Sequence, residues 1–96
     1  MDPAIPDISI SDVVASTAGR DAGAWFYVVN EDPIYLFLAN GKDRTLDKPK
    51  RKKRKHVQKV LRSETRVADK LRQGDKVLNG ELRRDLAFLA RETTSE

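Results

Sequence analysis

The stretch DVVASTAGRDAGAWFYVV, residues 12–29, decides the fold because it holds two strand-like segments separated by a loop with two glycines. The first segment predicts a half-buried strand over roughly residues 12–17, with an irregularity near Asp12. Gly19 and Gly23 enclose a polar pair, which predicts a tight loop with positive φ angles between antiparallel strands. The stretch therefore predicts two neighbouring strands of one sheet.

Residues 24–29 form the second segment and are rich in aromatic and β-branched side chains, so we expect the best-buried strand here. A period of two places Phe26 and Val28 on one face, and Trp25, Tyr27 and Val29 on the other. A domain this small needs large aromatic side chains in its core, and we assign Phe26 and Phe37 to it.

Further strands follow towards the middle of the chain. Residues 30–33 have turn chemistry, and residues 34–39 predict a third strand. Asn40-Gly41 predicts a type I′ hairpin, so a short strand around Arg44–Leu46 should pair back on residues 34–39. Residues 56–61 regain apolar character and can supply a fifth strand. Five short strands with short connections predict a small twisted sheet curled into a barrel.

The last third of the chain has helical periodicity. Ser63 or Thr65 can cap a short helix whose apolar face holds Val67, Ala68 and Leu71, and Gln73-Gly74 should end it. Asn79 can cap a second helix, in which Leu82, Leu86 and Leu89 recur on one face. These helices have too few large apolar residues to fold alone, so they should dock on the barrel or on a partner.

The predicted organisation is therefore mainly β with C-terminal α structure. Residues 1–7 form a flexible arm, residues 8–62 form the barrel and include a basic segment at 48–59, and residues 63–96 form a helical tail with fraying from Thr93.

Charge is distributed very unevenly along the 96 residues. Residues 1–47 hold three bases and eight acids, residues 48–66 hold ten bases and one acid, and residues 67–96 hold six of each. Within Lys48–His56, which we call the basic run, seven of nine side chains are cationic. So much like charge repels itself and normally persists when a polyanion is the partner, and the polyanion we expect is nucleic acid.

Other classes of function have little support. The chain has no cysteine, one histidine and no nucleophile or phosphate-loop motif, so we expect neither an enzyme nor a cofactor, metal or small-molecule substrate. We see no signal peptide and no apolar run of the ~20 residues that a membrane span needs. We therefore expect a cytoplasmic protein that does not enter membranes.

Residues 12–23 followed by 26–29 resemble a KOW motif, the strand–loop–strand unit of many ribosomal and transcription-associated proteins. Residues 35–41 and 48–58 then resemble more narrowly the small bacterial KOW-domain RNA-binding proteins, which are similar to the eukaryotic-type large-subunit ribosomal protein family fourteen. The resemblance covers about residues 8–61. It implies an SH3-like barrel that binds RNA, with ribosomal RNA as the expected target, in translation or ribosome assembly.

The basic run supplies most of the candidate RNA-binding residues, because each neutralised phosphate releases condensed counterions. Arginines can additionally fork two phosphate oxygens or stack on bases. Cations near the predicted loops join them as secondary candidates. The full set is Arg20, Lys42, Arg44, Lys48, Lys50, Arg51, Lys52, Lys53, Arg54, Lys55, His56 and Lys59.

Two candidate residues stand apart from the phosphate-binding set. Trp25 is the aromatic side chain that we keep as a candidate for base stacking. His56 has no carboxylate nearby in sequence, so a phosphate or backbone hydrogen bond is a better expectation than catalysis.

Alternative interpretations remain for the run and for the tail. The run can be a solvated tail, or a nuclear-localisation signal in a nucleated cell. The narrow stripe of Leu82, Leu86 and Leu89 can instead dock a protein partner such as a transcription or translation factor, with the basic run as a secondary anion site.

Overall fold

The computed structural model describes residues 7–94 and contains one five-stranded antiparallel sheet followed by two helices. The predicted mainly β fold with C-terminal helices is confirmed. The predicted arm lies outside the described residues except for Asp7. The elements are strands β1 (Asp12–Ser16), β2 (Trp25–Glu31), β3 (Tyr35–Ala39), β4 (Lys50–Lys53) and β5 (Val57–Arg62), a 3₁₀ turn at Arg54–His56, and helices α1 (Arg66–Gln73) and α2 (Asn79–Thr94).

The strand order is β4-β3-β2-β1-β5, so consecutive strands β4 and β5 lie at opposite ends of it. Only the 3₁₀ turn joins them. The irregularity expected near Asp12 is present, because Ser11 has a φ of 77° and the β1–β5 register shifts between Val13 and Val14. The glycine loop also matches its prediction, since Gly19 and Gly23 have φ angles of 86° and 91°.

The sheet is buried on both faces. One core cluster contains no helical residue and consists of Ile8, Val14, Phe26, Val28, Leu36, Leu38 and Val57. The other joins the opposite sheet face to the helices and consists of Val13, Tyr27, Ala39, Val67, Ala68, Leu82 and Leu86. The predicted division of β2 into two faces is therefore confirmed. The expectation for Phe37 is wrong, because its side chain is only partly buried and lies outside both clusters.

The predicted fourth strand at Arg44–Leu46 is wrong. The strand that pairs with β3 is β4, within the basic run, and its register places Lys52 opposite Leu36. Residues 40–49 instead form an irregular loop. The Asn40 side chain accepts hydrogen bonds from the backbone N–H groups of Lys42 and Arg44, which holds the loop away from a hairpin. The type I′ prediction fails too, because Gly41 has a positive φ and Asn40 does not.

Helix α1 begins and ends as predicted. The Thr65 hydroxyl accepts a hydrogen bond from Ala68 N, and Gly74 ends the helix in the left-handed conformation. The prediction for Asn79 is wrong, because Asn79 is the first residue of α2 and its side chain accepts a hydrogen bond from Leu46 N. That bond holds the 40–49 loop against the start of α2. Helix α2 includes Thr93 and Thr94, and the remaining two residues for which fraying was expected, Ser95 and Glu96, lie outside the described residues.

Candidate nucleic-acid interface

The basic run is folded into β4 and the 3₁₀ turn, so the alternation of a strand divides its cations between two faces. Lys50 and Lys52 lie opposite Leu38 and Leu36, on the face of the first core cluster. Arg51 and Lys53 lie on the other face. A run that looks uniform in sequence therefore contains cations in two different environments.

Lys50 and Lys52 both bind Asp21 in the glycine loop. The distance from Lys50 Nζ to Asp21 Oδ2 is 2.6 Å, and that from Lys52 Nζ to Asp21 Oδ1 is 2.8 Å. Lys52 also donates to Ala18 O at 2.7 Å and is buried, with 8% of its side chain exposed. Burial tends to raise the pKa of Asp21, but hydrogen bonds from Lys50, Lys52 and Ser16 hold it well below its ordinary value. These two lysines therefore attach β4 to the loop.

Arg54 also makes structural contacts, separate from those of Lys50 and Lys52. Its guanidinium donates to Ile8 O, to Asp32 O and to Glu31 Oε1, each at 2.9 Å. The Asp32 carboxylate accepts from Tyr35 N and Ile34 N, and these backbone bonds lower its pKa, with weaker attraction from Arg54 and Arg51. Arg54 therefore ties the 3₁₀ turn to the chain before β1 and to the β2–β3 turn.

Four cations of the run remain exposed, namely Lys48, Arg51, Lys53 and Lys55, and we call them the exposed cations. Among the residues that the structure describes, no carboxylate lies within the 4.0 Å ion-pair distance of any of them. Arg51 has a different partner, because its guanidinium carbon lies 4.5 Å from the centroid of the Tyr35 ring. These four side chains are free to meet phosphates.

A cleft of about 550 Å³ lies beside the run and brings three predicted residues together. Arg20 comes from the glycine loop, Arg44 from the 40–49 loop and Lys50 from β4. Asp21 and Asp43 also line this cleft, so its charge is mixed. Arg20 and Arg44 are exposed, whereas Lys50 is engaged by Asp21. Of the cations that line this cleft, Arg20 and Arg44 are therefore the exposed ones.

The remaining candidates are more dispersed. Lys42 is exposed in the 40–49 loop but is not among the residues that line the cleft. Lys59 Nζ lies 3.3 Å from Asp12 Oδ2. His56 is partly buried, and its backbone carbonyl accepts a hydrogen bond from Thr17 N. Trp25 is partly buried and packs against the second core cluster, which leaves only part of the ring for a base.

The leucine stripe of α2 packs on the protein's own sheet. Leu82 is fully buried, Leu86 is 7% exposed, and Leu89 packs at the margin of the same cluster. The sequence left docking on the barrel or on a partner open for this stripe, and the structure shows it packed on the protein's own sheet. Leu82 and Leu86 are therefore not available on the surface, whereas Leu89 is partly exposed.

Sequence reasoning did not identify Asp21 as the anion that neutralises half of β4, nor Tyr35 as the partner of Arg51. Both depend on the pairing of β4 with β3. Lys50–Lys53 has none of the apolar alternation by which a strand is normally recognised, so the sequence carried no local signal for β4.

Within residues 7–94, no helix is long and apolar enough to cross a membrane. The same residues contain no group of three His, Cys, Asp or Glu side chains placed to hold a metal ion. No protein-family model and no curated protein matches the chain.

Proposed function

We propose that this protein binds RNA, with the exposed cations as its main phosphate contacts. The observation that carries the proposal is that Lys48, Arg51, Lys53 and Lys55 stay exposed and unpaired with acids within the described residues, although acids neutralise their neighbours in the same run. None of the acids described in residues 7–47 lies within 4.0 Å of these four cations; Asp32 attracts Arg51, and Asp47 attracts Lys48, only at longer range. A polyanion supplies the missing charge on binding.

The proposal includes an SH3-like barrel as the scaffold. The three-residue turn Arg54–His56 joins the two strands at opposite ends of the sheet order, which favours a sheet that curls until its ends meet. The first core cluster supports this, because its described members come from strands and from Ile8 alone. A sheet that buries one face without a helix must fold over itself.

Ribosomal RNA, met on the ribosome or during its assembly, is the RNA target that we propose from the KOW resemblance of residues 12–58. Cosedimentation tests this part. We expect the protein to migrate with ribosomal subunits through a density gradient at low salt. A protein that stays at the top of the gradient there is not a ribosome-associated protein, whatever its affinity for other RNA.

The phosphate-binding part is tested by changing only the exposed cations to glutamine. Substituting the whole run would also remove Lys52 and Arg54, whose contacts are structural. The matched control changes four exposed helix arginines, Arg66, Arg83, Arg84 and Arg91, to glutamine. Both variants lose four positive charges, so they differ in where the charge is removed and not in how much.

We expect the exposed-cation variant to lose most RNA affinity and the control to keep most of it. The slope of log K against log salt should fall by about 3 for single-stranded RNA, since each lost contact contributes about 0.7. Equal losses in both variants would show that only net charge matters. Lysines at the end of a sheet can also oppose association between chains, so the oligomeric state of each variant is measured alongside.

The alternative, a module that binds a transcription or translation factor, has less support because Leu82 and Leu86 are buried. Large apolar side chains that remain exposed, such as Leu78 and Phe88, are ten positions apart on α2 and the chain before it. They do not form one continuous patch on a helix face. We therefore favour RNA over a protein as the partner.

A further inference from the structure

One surface of β3 and β4 combines aromatic and cationic side chains. Residues that pair directly in an antiparallel sheet point to the same face. Tyr35 pairs with Lys53, and Phe37 pairs with Arg51, so the four side chains share the face opposite Leu36. We call this set the aromatic–basic face.

The two aromatic rings of this face do not serve the core. Tyr35 and Phe37 are both partly exposed and belong to neither hydrophobic cluster, nor to the side chains packed at the margins of those clusters. A domain of 96 residues with three phenylalanines and two tyrosines has few large aromatics to spare. Because Tyr35 and Phe37 are neighbours on one face and remain partly exposed, we expect a ligand with flat apolar faces to cover them.

Arg51 is already arranged to stack. Its guanidinium carbon lies 4.5 Å from the centroid of the Tyr35 ring, and the residue is exposed. Guanidinium planes and aromatic rings are the surfaces on which proteins stack unpaired RNA bases. Side chains two residues apart on a strand are separated by about 7 Å, so Tyr35 and Phe37 are far enough apart to address two different bases.

We propose that the aromatic–basic face binds single-stranded RNA, with one unpaired base stacked on the Tyr35–Arg51 pair, a second on Phe37, and a phosphate at Lys53. Duplex RNA does not fit this chemistry, because its bases are already stacked on each other. An acidic protein surface would satisfy Lys53 but would leave the rings unused. The proposal rests on the proposed function and specifies its ligand as unpaired RNA.

The test compares the full chain with an Arg51→Lys variant, which keeps the charge but loses the planar group. Arg66→Lys, at an exposed position on α1, is the matched control. Three probes are used: a short unstructured pyrimidine RNA, the same ribose–phosphate strand without bases, and an RNA duplex. Poly-glutamate serves as a competitor that offers charge without bases.

We expect Arg51→Lys to weaken binding of the pyrimidine RNA by about 5- to 100-fold. Its affinity for the strand without bases and its salt slope should change little, because the number of phosphate contacts is the same. Phe37→Leu should give a similar loss for the pyrimidine RNA. Arg66→Lys should match the unchanged protein with every probe.

Three results would overturn the stacking proposal. In the first, Arg51→Lys leaves the affinity for pyrimidine RNA unchanged. In the second, Arg51→Lys weakens binding of the strand without bases as much as it weakens binding of the pyrimidine RNA. In the third, poly-glutamate displaces the RNA as well as a second RNA strand does. If one of these three results is obtained while the variant with glutamine at the four exposed cations still loses RNA affinity, the proposed function stands. If the unchanged protein binds none of the RNAs at low salt, both proposals fall.

Discussion

Lys52 Nζ lies 2.8 Å from Asp21 Oδ1, so the centre of the most basic strand is fixed to the loop between β1 and β2. Asp21 binds Lys50 at the same time. Two cations of the basic run are thus used to close the structure around one acid. Strand alternation turns the other two cations of β4, Arg51 and Lys53, to the opposite face, where they remain exposed.

Asp21→Asn should destabilise the protein. The amide keeps the size of the carboxylate but leaves Lys52 as a buried cation without its counter-ion, and we expect a loss of about 1–3 kcal/mol in the free energy of unfolding. Urea denaturation measures it. The control is Asp43→Asn, an exposed acid that lines the same cleft. Equal stabilities for the two variants would mean that the Asp21 ion pairs contribute nothing.

The lowered pKa of Asp21 predicts that the protein loses stability at acidic pH. The fold lowers the pKa of Asp21, so its contribution is fully present above about pH 4, the ordinary value for an aspartate, and is lost as pH falls towards the folded-state value. The stability difference between the unchanged protein and Asp21→Asn should therefore shrink as pH is lowered from 4. A difference that stays constant from neutral to strongly acidic pH would contradict this assignment.

The parts of the fold that sequence could predict are those with local signals. Residues 24–29 alternate large side chains between two faces, and both faces are filled as expected. Thr65 and Gly74 bound α1 because capping depends on residues close in sequence. In each case the information lies within a few residues of the element that it specifies.

The part that sequence could not predict is β4. Lys50 to Lys53 carry no apolar alternation, and they form a strand because Asp21, about thirty positions earlier, neutralises the inward side. Asn40-Gly41 was misleading for a related reason. The expected short hairpin is replaced by a loop that is held to α2 through Asn79, far along the chain. The long-range ion pairs of Asp21 account for β4, whereas the 40–49 loop combines local hydrogen bonds to Asn40 with the long-range bond to Asn79.

Tyr27 lies at the centre of a second polar network, between the sheet and α2. Its fully buried hydroxyl donates to Asp85 Oδ2 and contacts Ser63 Oγ at 2.8 Å. Tyr27→Phe should lower stability by about 1–3 kcal/mol, because Asp85 loses a donor and keeps the Thr65 hydroxyl. Chemical denaturation near neutral pH measures this. An unchanged free energy of unfolding would show that the hydrogen bond from Thr65 is enough for the Asp85 carboxylate.

The raised pKa of Tyr27 predicts that the protein loses stability at alkaline pH. Burial, with the hydrogen bond to Asp85, raises the pKa of Tyr27 from 10.0 to about 12. The fold therefore favours the protonated phenol, and this contribution is complete below pH 10 and is lost as pH rises from 10 to about 12. Subtracting the ultraviolet phenolate titration of Tyr27→Phe from that of the unchanged protein isolates this group. Ionisation of Tyr27 at its ordinary pKa in the folded protein would contradict the network.

Gly41 allows the 40–49 loop to approach α2 closely. Its substitution, compared with that of Gly23, separates the cost of a steric clash from the cost of backbone strain. A Cβ on Gly41 would lie 2.2 Å from Asn79 O, and the residue has a φ of 78°. Gly23 has a comparable φ of 91° but no atom within 4 Å of such a Cβ. Gly23→Ala should therefore show only backbone strain, about 1 kcal/mol, whereas Gly41→Ala should lose about 3 kcal/mol or more.

Hydrogen exchange distinguishes the cause of that larger loss. If Gly41→Ala displaces the loop from α2, the Leu46 amide, which donates to Asn79 Oδ1, should lose protection together with the first turn of the helix. The same amide should keep its protection in Gly23→Ala, because the glycine loop does not contact Asn79 through that residue. Equal losses of stability in the two variants, with Leu46 protected in both, would mean that the close approach at Gly41 relaxes without consequence. The hydrogen bonds to the Asn40 and Asn79 side chains would then hold the 40–49 loop in place despite the added methyl group.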